Sequence, residues 1–123
     1  MPANASRLNS YRLGRRAEIM AALFLKIKGY RILKRRYKTP VGEIDLIAKK
    51  GRNLVFIEVK ARKTLRDGLE AITPNAQRRI SRAAEYFLMS ESENFPQALS
   101  GQNIRFDAII CWKWHMRHLT NIF

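Results

Sequence analysis

The sequence predicts one α/β domain, whose elements follow in the order helix, three strands, helix, strand. Three observations support this fold class. Apolar residues recur at helical spacing in one stretch near the N-terminus and in another in the second half of the chain. In the stretches between and after them, apolar and polar residues alternate, which is typical of strands. The length of 123 residues suits a single domain with one sizeable core.

The first helix is predicted over residues 13–28, and Gly29 ends it. Its apolar face is predicted to hold Leu13, Ala17, Met20, Ala21, Phe24 and Ile27. Residues 1–11 are polar and are predicted to be flexible. Glu18 lies beside the apolar face, so the local sequence favours an ion pair with an arginine of the same helix.

Residues 30–38 (Y-R-I-L-K-R-R-Y-K) predict a strand with a strongly basic side, and Thr39-Pro40 breaks it. Two interpretations of its basic residues Lys34, Arg35, Arg36 and Lys38 remain open. They could contact the phosphates of a nucleic acid, or they could protect an edge strand from pairing with other chains.

Residues 41–62 predict a β-hairpin in which the numbers of paired residues sum to 103. Asp45 then lies opposite Glu58 and Glu43 opposite Lys60, all on one face of the hairpin. The other face is apolar and pairs Ile44 with Val59, Leu46 with Ile57 and Ala48 with Val55. A slip by one residue would mix the two faces, so the register is well specified.

The connection over residues 62–70 is basic, contains a glycine and is predicted to be mobile. Thr73 and Pro74 begin a second helix that extends to about Met89, with arginines 78, 79 and 82 off its apolar face. A polar loop follows. Residues 103–112 then alternate as a strand, and the last residues are expected to form a short closing strand.

The charge of the chain indicates a polyanionic partner. It carries 24 Lys and Arg against 10 Asp and Glu, a net charge of +14. The whole excess lies between Arg12 and Arg82, around the hairpin. Nucleic acid is the commonest such partner, although a merely basic surface is the alternative. The chain has no apolar run long enough to cross a membrane and one cysteine, Cys111, so a cytoplasmic location is expected.

Several kinds of site are not indicated by the sequence. It has no phosphate-binding loop, no dinucleotide-binding motif and no Cys/His cluster for zinc. His115 and His118 have no third ligand beside them, so a metal role for them is not favoured. Cys111 lies in a strand pattern and is interpreted as a small core residue.

The carboxylate face of the hairpin remains. Asp45 and Glu58 would lie about 5 Å apart as a cross-strand pair, and two carboxylates at that spacing repel unless a positive charge lies between them. Lys60 is one source of that charge, and Mg²⁺ with its retained waters is another. The structural alternative is an ordinary ion pair between Glu43 and Lys60.

The motifs G-E-I-D-L-I-A and V-F-I-E-V-K-A-R resemble those of the PD-(D/E)XK nuclease superfamily, and within it the small bacterial YraN-like family. Three further matches extend the resemblance over most of the chain: Gly14 with Glu18, Ile72-Thr73, and Arg105-Phe106-Asp107. The resemblance implies a restriction-endonuclease-like αβββαβ core with a mixed central sheet flanked by helices. One departure is Ala76-Gln77, where relatives often carry a lysine and where Gln77 could substitute as a polar contact.

The resemblance also implies the chemistry. Asp45, Glu58 and Glu18 would be metal ligands for Mg²⁺, or for Mn²⁺ as a substitute, and Lys60 would be the catalytic lysine beside these three carboxylates. The residues expected to bind nucleic acid are Arg15, Lys34, Arg35, Arg36, Arg62, Lys63, Gln77 and Arg78. The expected activity is hydrolysis of phosphodiester bonds in DNA, including branched or single-strand-containing DNA. A homodimer is compatible with the resemblance.

Two other hypotheses are kept beside the nuclease. The first is a non-catalytic nucleic-acid-binding protein that retains the fold and the basic surface. The second is a structural partner of a larger complex on nucleic acid, such as a ribosome-associated factor. The Asp45–Glu58–Lys60 set favours the nuclease, because a protein that only binds has no need of acids beside a phosphate.

Overall fold

A computed structural model describes residues 3–91, 94 and 102–123, and of residues 3–10 only the backbone. The elements are α1 (Ala3–Ile27), β1 (Arg31–Thr39), β2 (Gly42–Lys50), β3 (Asn53–Ala61), α2 (Leu65–Glu70), α3 (Pro74–Ser90), β4 (Asn103–Trp112) and β5 (His115–Leu119). Among these described residues, no helix is long and apolar enough to span a bilayer.

The strands form one five-stranded sheet in the order β1-β2-β3-β4-β5. All neighbours are antiparallel except β3 and β4, which are parallel and are connected through α2 and α3. Helix α1 packs on one face through Ala17, Ala21 and Leu25. Helix α3 packs on the other through Ile80 and Phe87. The α/β fold with a mixed central sheet flanked by helices is therefore confirmed, and β5 confirms the short closing strand.

Helix α1 begins earlier and faces differently than the sequence indicated. It starts at Ala3, well before the predicted Leu13, because residues 3–12 contain no glycine or proline and include good helix formers. Its most buried residues are Ala17, Ala21, Ala22 and Leu25. Leu13, Met20 and Ile27, expected on the buried face, are 53%, 53% and 78% exposed, because the helix turns a different face toward the sheet.

The predicted hairpin register is confirmed from Lys50 opposite Asn53 to Leu46 opposite Ile57. The ladder ends there. Ile44 packs on the α3 side of the sheet, whereas Val59 packs on the α1 side. The predicted Ile44–Val59 pair is therefore wrong. The physical reason is that the Asp45 carboxylate accepts the Val59 N–H at 2.8 Å and interrupts the regular pairing.

The connection after β3 contains a helix, so the expectation of a mobile stretch over residues 62–70 is wrong. Thr64 caps α2 by accepting the Asp67 N–H at 3.0 Å. Gly68 is buried against β4, and a Cβ there would lie 2.3 Å from Ile110 Cγ2. The absence of a side chain at Gly68 therefore allows α2 to lie directly against β4.

Candidate metal-dependent active site

Two hollows meet at the end of the hairpin where the β2–β3 ladder stops. One of about 260 Å³ lies on the α1 side and one of about 420 Å³ on the α3 side. Four hairpin side chains line both hollows: Glu43, Asp45, Glu58 and Lys60. The structure thus brings the predicted Asp45–Glu58–Lys60 set together between the two helices.

The Asp45 side chain is held by a hydrogen bond to the backbone of the neighbouring strand. Its Oδ2 accepts the Val59 N–H, which fixes the carboxylate on β2 toward β3. Burial raises the pKa of Asp45 to about 6, and the nearby Glu18 charge adds to the rise. The Val59 N–H and Lys60 act in the opposite direction but do not cancel these effects. The ionised Asp45 therefore lacks a full counter-charge.

Glu58 and Lys60 lie two residues apart on β3, and their side chains form an ion pair. Lys60 Nζ is 3.0 Å from Glu58 Oε1, and the two side chains are 23% and 12% exposed. Burial and the charge of Asp45 raise the pKa of Glu58 to about 7 despite this lysine. The predicted Glu43–Lys60 pair is replaced by the Glu58–Lys60 pair, because the ladder that would place Glu43 opposite Lys60 ends before them.

Glu18 reaches the same place from α1. Its Oε2 lies 3.7 Å from Nε of Arg36 on β1, so the expected partner from the same helix is wrong. Arg36 has a positive φ of 52° and is skipped in the β1–β2 ladder between Arg35 and Tyr37. Such a backbone conformation is costly for a residue with a Cβ, and it occurs here beside the carboxylates.

The carboxylate oxygens at this point are the ligand type that Mg²⁺ prefers. In the described part of the chain, no three His, Cys, Asp or Glu side chains converge as a preformed metal cage. Mg²⁺ does not need one, because it commonly takes one or two carboxylates and keeps several waters. Asp45 and Glu58 fit that requirement, because burial disfavours the charged form of each carboxyl group and a bound cation would stabilise it. Glu18 is placed to contribute a further oxygen.

Basic residues border the α1-side hollow. Arg15 and Arg36 line it together with Tyr11, whose hydroxyl accepts a hydrogen bond from Arg15 Nη1 at 3.0 Å. Hydrogen bonds from Arg15 and Arg36 hold the pKa of Tyr11 below its ordinary value. Tyr11 was not identified from the sequence, because it lay in the segment expected to be flexible. A helix extended by three turns places it one turn before Arg15.

The other residues expected to bind nucleic acid divide into three places. Arg62 and Lys63 line a depression that also contains Lys60. Lys34 and Arg35 lie on β1, where Lys34 Nζ is 3.8 Å from Glu91 Oε1 and Arg35 is exposed. They do not line the carboxylate hollows. Whether these residues bind nucleic acid stays a prediction.

Gln77 and Arg78 face away from the carboxylates. They line a separate hollow with Phe106 and Phe123, and the Gln77 amide donates to the Ile72 carbonyl at 3.5 Å. The charged α3 residue that lines the hollow beside the carboxylates is Arg79. It lies three residues after the buried Ala76, on the same side of the helix, and that spacing could have identified it.

A glycine permits the approach of α3 to this site. Gly42 at the start of β2 has φ +155°, and a Cβ there would lie 2.8 Å from the Arg79 carbonyl oxygen. A larger residue would separate the strand from the helix at the edge of the hollow.

A second carboxylate centre lies on β4. Asp107 is fully buried and accepts hydrogen bonds from Nε and Nη2 of Arg105 at 2.9 and 2.8 Å, and from the Asn121 N–H at 2.9 Å. His118 Nε2 lies 2.7 Å from Asp107 Oδ2, while its Nδ1 lies 2.7 Å from Lys28 Nζ. Because an ammonium only donates, Nδ1 accepts and the Nε2 proton points to Asp107. Arg105-Phe106-Asp107 is therefore a structural motif.

Comparison with known proteins identifies the family. Residues 17–111 match the family described as "Uncharacterised protein family UPF0102". A UPF0102 protein of Mesorhizobium japonicum is 44% identical over 122 residues, which cover 98% of this chain and 93% of that protein. One of Rhodopseudomonas palustris (strain BisA53) is 46% identical over 123 residues, covering 99% and 91%. The chain therefore belongs to the UPF0102 family, the YraN family that its motifs resemble.

Proposed function

We propose that the protein is a Mg²⁺-dependent nuclease that hydrolyses phosphodiester bonds of DNA, with branched or single-strand-containing DNA as the substrate class. The observation that carries the proposal is the convergence of Asp45, Glu58 and Lys60 on one pair of hollows, with Glu18 entering from α1. Burial disfavours the ionised form of the acids there, and ionisable groups with such perturbed pKa values are common at functional sites.

Asp45 and Glu58, with Glu18 beside them, would hold the metal. When bound, Mg²⁺ supplies the positive charge that these carboxylates lack, polarises a phosphodiester oxygen and lowers the pKa of a bound water. The Asp45 carboxylate is prevented from swinging away by its hydrogen bond to the Val59 N–H.

Lys60 is the candidate for the positive charge that the protein itself supplies beside the reacting phosphate. Its Nζ lies 3.0 Å from Glu58 and borders both hollows. From there the ammonium can orient the attacking water by a hydrogen bond, or it can neutralise charge that develops on the phosphate. Its contact with Glu58 keeps the lysine at the site.

Arginines on both sides of the carboxylates would bind the phosphates that flank the cleaved bond. Arg15 and Arg36 border the α1-side hollow, and Arg79 borders the α3-side hollow. Guanidinium groups form paired hydrogen bonds with phosphate oxygens, so they fix a strand's position as well as its charge. The net charge of +14 would speed the encounter with DNA.

One observation favours the alternative, a nucleic-acid-binding protein without catalysis. The Lys60–Glu58 and Arg36–Glu18 ion pairs neutralise part of the acidic charge without any metal. In that case the basic surround would bind nucleic acid and the carboxylates would serve only the local structure.

Cleavage assays separate the two hypotheses. Purified protein is incubated with plasmid, junction, flap and single-stranded DNA in Mg²⁺ or Mn²⁺. We expect cleavage by the wild type, and a loss of roughly 100-fold or more in Asp45→Asn and in Lys60→Ala with DNA binding largely kept. Asp67→Asn on α2 and Lys26→Ala on α1 are matched controls because both residues are exposed. Binding of all substrates by the wild type without cleavage of any would favour the alternative.

A further inference from the structure

An exposed apolar groove lies between α1 and the turn that joins β4 to β5. We call it the tryptophan groove. It encloses about 520 Å³ and is lined mainly by Leu13, Met20, Leu23, Trp112, Trp114 and Met116. Trp114, in the turn, is 99% exposed. An apolar surface of this kind rarely remains in contact with water without a binding role.

The groove is continuous with the carboxylate site. A neighbouring depression of about 780 Å³ shares Leu13, Ala61, Arg62 and Lys113 with the tryptophan groove. The same depression contains Gly14, Val59 and Lys60, which also line the α1-side hollow. A chain lying along this surface could therefore contact Trp114 at one end and the candidate catalytic residues at the other.

The charge along this path selects the occupant. Arg16, Arg62, Lys63 and Lys113 border it, and none of the described residues that line the tryptophan groove or the depression is Asp or Glu. A second copy of this chain, with its net charge of +14, would be repelled. An anionic polymer with flat apolar groups satisfies both the basic border and the aromatic tip.

Single-stranded DNA has that chemistry. Proteins that hold it combine a basic surface that follows the backbone with aromatic side chains on which bases stack. A duplex does not offer its base faces, so an exposed tryptophan distinguishes unpaired from paired DNA. The residues that flank the turn stabilise it, because the Trp112 and His115 rings stack at 5.2 Å between centroids and 27° between planes.

We propose that the surface from Lys60 to Trp114 is a track for an unpaired DNA strand. Arg62, Lys63 and Lys113 contact the phosphates of that strand, and Trp114 stacks on a base. This inference rests on the proposed function, since it names which part of a branched substrate reaches the carboxylates: the single-stranded arm.

The test is binding of fluorescently labelled single-stranded and duplex DNA of equal length, measured in EDTA so that no cleavage occurs. We expect Trp114→Ala to weaken single-strand binding roughly 5- to 100-fold and to leave duplex binding unchanged. Trp114→Phe should recover part of the loss, because it keeps a stacking ring. Tyr86→Ala is the control, because Tyr86 is an exposed aromatic residue on α3, which packs on the other face of the sheet from α1, and it does not line the track.

The outcomes distinguish this inference from the proposed function. Equal loss of single-strand and duplex binding, or no loss in either, would overturn the stacking role of Trp114. If affinity for DNA is unchanged and Trp114→Ala instead abolishes self-association in sedimentation, the groove is a protein contact and the inference fails. If Trp114→Ala shows the selective loss while the wild type cleaves nothing in Mg²⁺, the track is supported and the nuclease proposal fails.

Discussion

Asp107 on β4 and the pair Asp45–Glu58 on β2 and β3 are carboxylates removed from water in neighbouring parts of one sheet, but their partners differ. Asp107 has Arg105, His118 and the Asn121 N–H. Burial raises the pKa of Asp107, yet these hydrogen bonds outweigh it and bring the pKa below its ordinary value. Asp45 and Glu58 have fewer partners, and burial raises the pKa of each to about 6 and about 7.

The difference separates a structural acid from a functional one. A buried charge stabilises a fold only when its hydrogen bonds and counter-charge are complete, as they are at Asp107. An incomplete set leaves a site that gains free energy when a cation arrives. Position in the sheet does not distinguish the two centres, whereas the number of donors around each carboxylate does.

The largest expected effect on stability is at Asp107. Asp107→Asn should lower the free energy of unfolding by about 3 kcal/mol, because Arg105 would lose its buried counter-charge and an NH2 donor would replace one of the two acceptor oxygens. Urea unfolding at pH 7.5 in EDTA measures it, with the exposed Asp67→Asn as the control. A change as small as that of the control would mean that Asp107 is not a structural acid.

Substitutions in the Asp45–Glu58 pair are expected to change the free energy of unfolding by a smaller amount and in the opposite direction. The folded pKa values of the pair, about 6 and about 7, lie above the ordinary 3.8 and 4.5, so folding takes up protons between about pH 4 and pH 7. The pair therefore lowers stability as the pH rises through that window. Asp45→Asn and Glu58→Gln should raise the free energy of unfolding by about 1–2 kcal/mol at pH 8.

The same variants should show almost no gain at pH 4, where both carboxyl groups are protonated in the folded protein. Urea unfolding at the two pH values, again in EDTA, compares each variant with the wild type. A gain that is equal at pH 4 and pH 8, or a loss at pH 8, would contradict the raised pKa values and the contrast with Asp107.

The central hairpin could be predicted because its alternation and turn leave one register. That register holds from Leu46 to Lys50, and it brought Asp45, Glu58 and Lys60 to one end of the sheet. The pairing of Lys60 could not be predicted. It depends on where the ladder stops, and it stops because the Asp45 side chain takes a backbone N–H.

Contacts between elements distant in sequence were also beyond the pattern of residues. The Glu18–Arg36 pair requires α1 to lie over β1 and Arg36 to adopt a positive φ. The extent of α1 was missed because the residues before Leu13 have no apolar periodicity to mark them as helical. The choice of Gln77 and Arg78 over Arg79 was an error of helical phase, which the three-residue spacing of Arg79 from the buried Ala76 could have corrected.

The central claim is that the Asp45–Glu58 pair binds a divalent cation, and Mg²⁺ binding at pH 7 tests it most directly. Calorimetric titration in buffers of different ionisation enthalpy measures both binding and proton release. We predict binding of Mg²⁺ with release of protons from the pair, absent in Asp45→Asn and Glu58→Gln and kept in Asp67→Asn. No binding by the wild type, or binding that both site variants retain without proton release, would contradict the account.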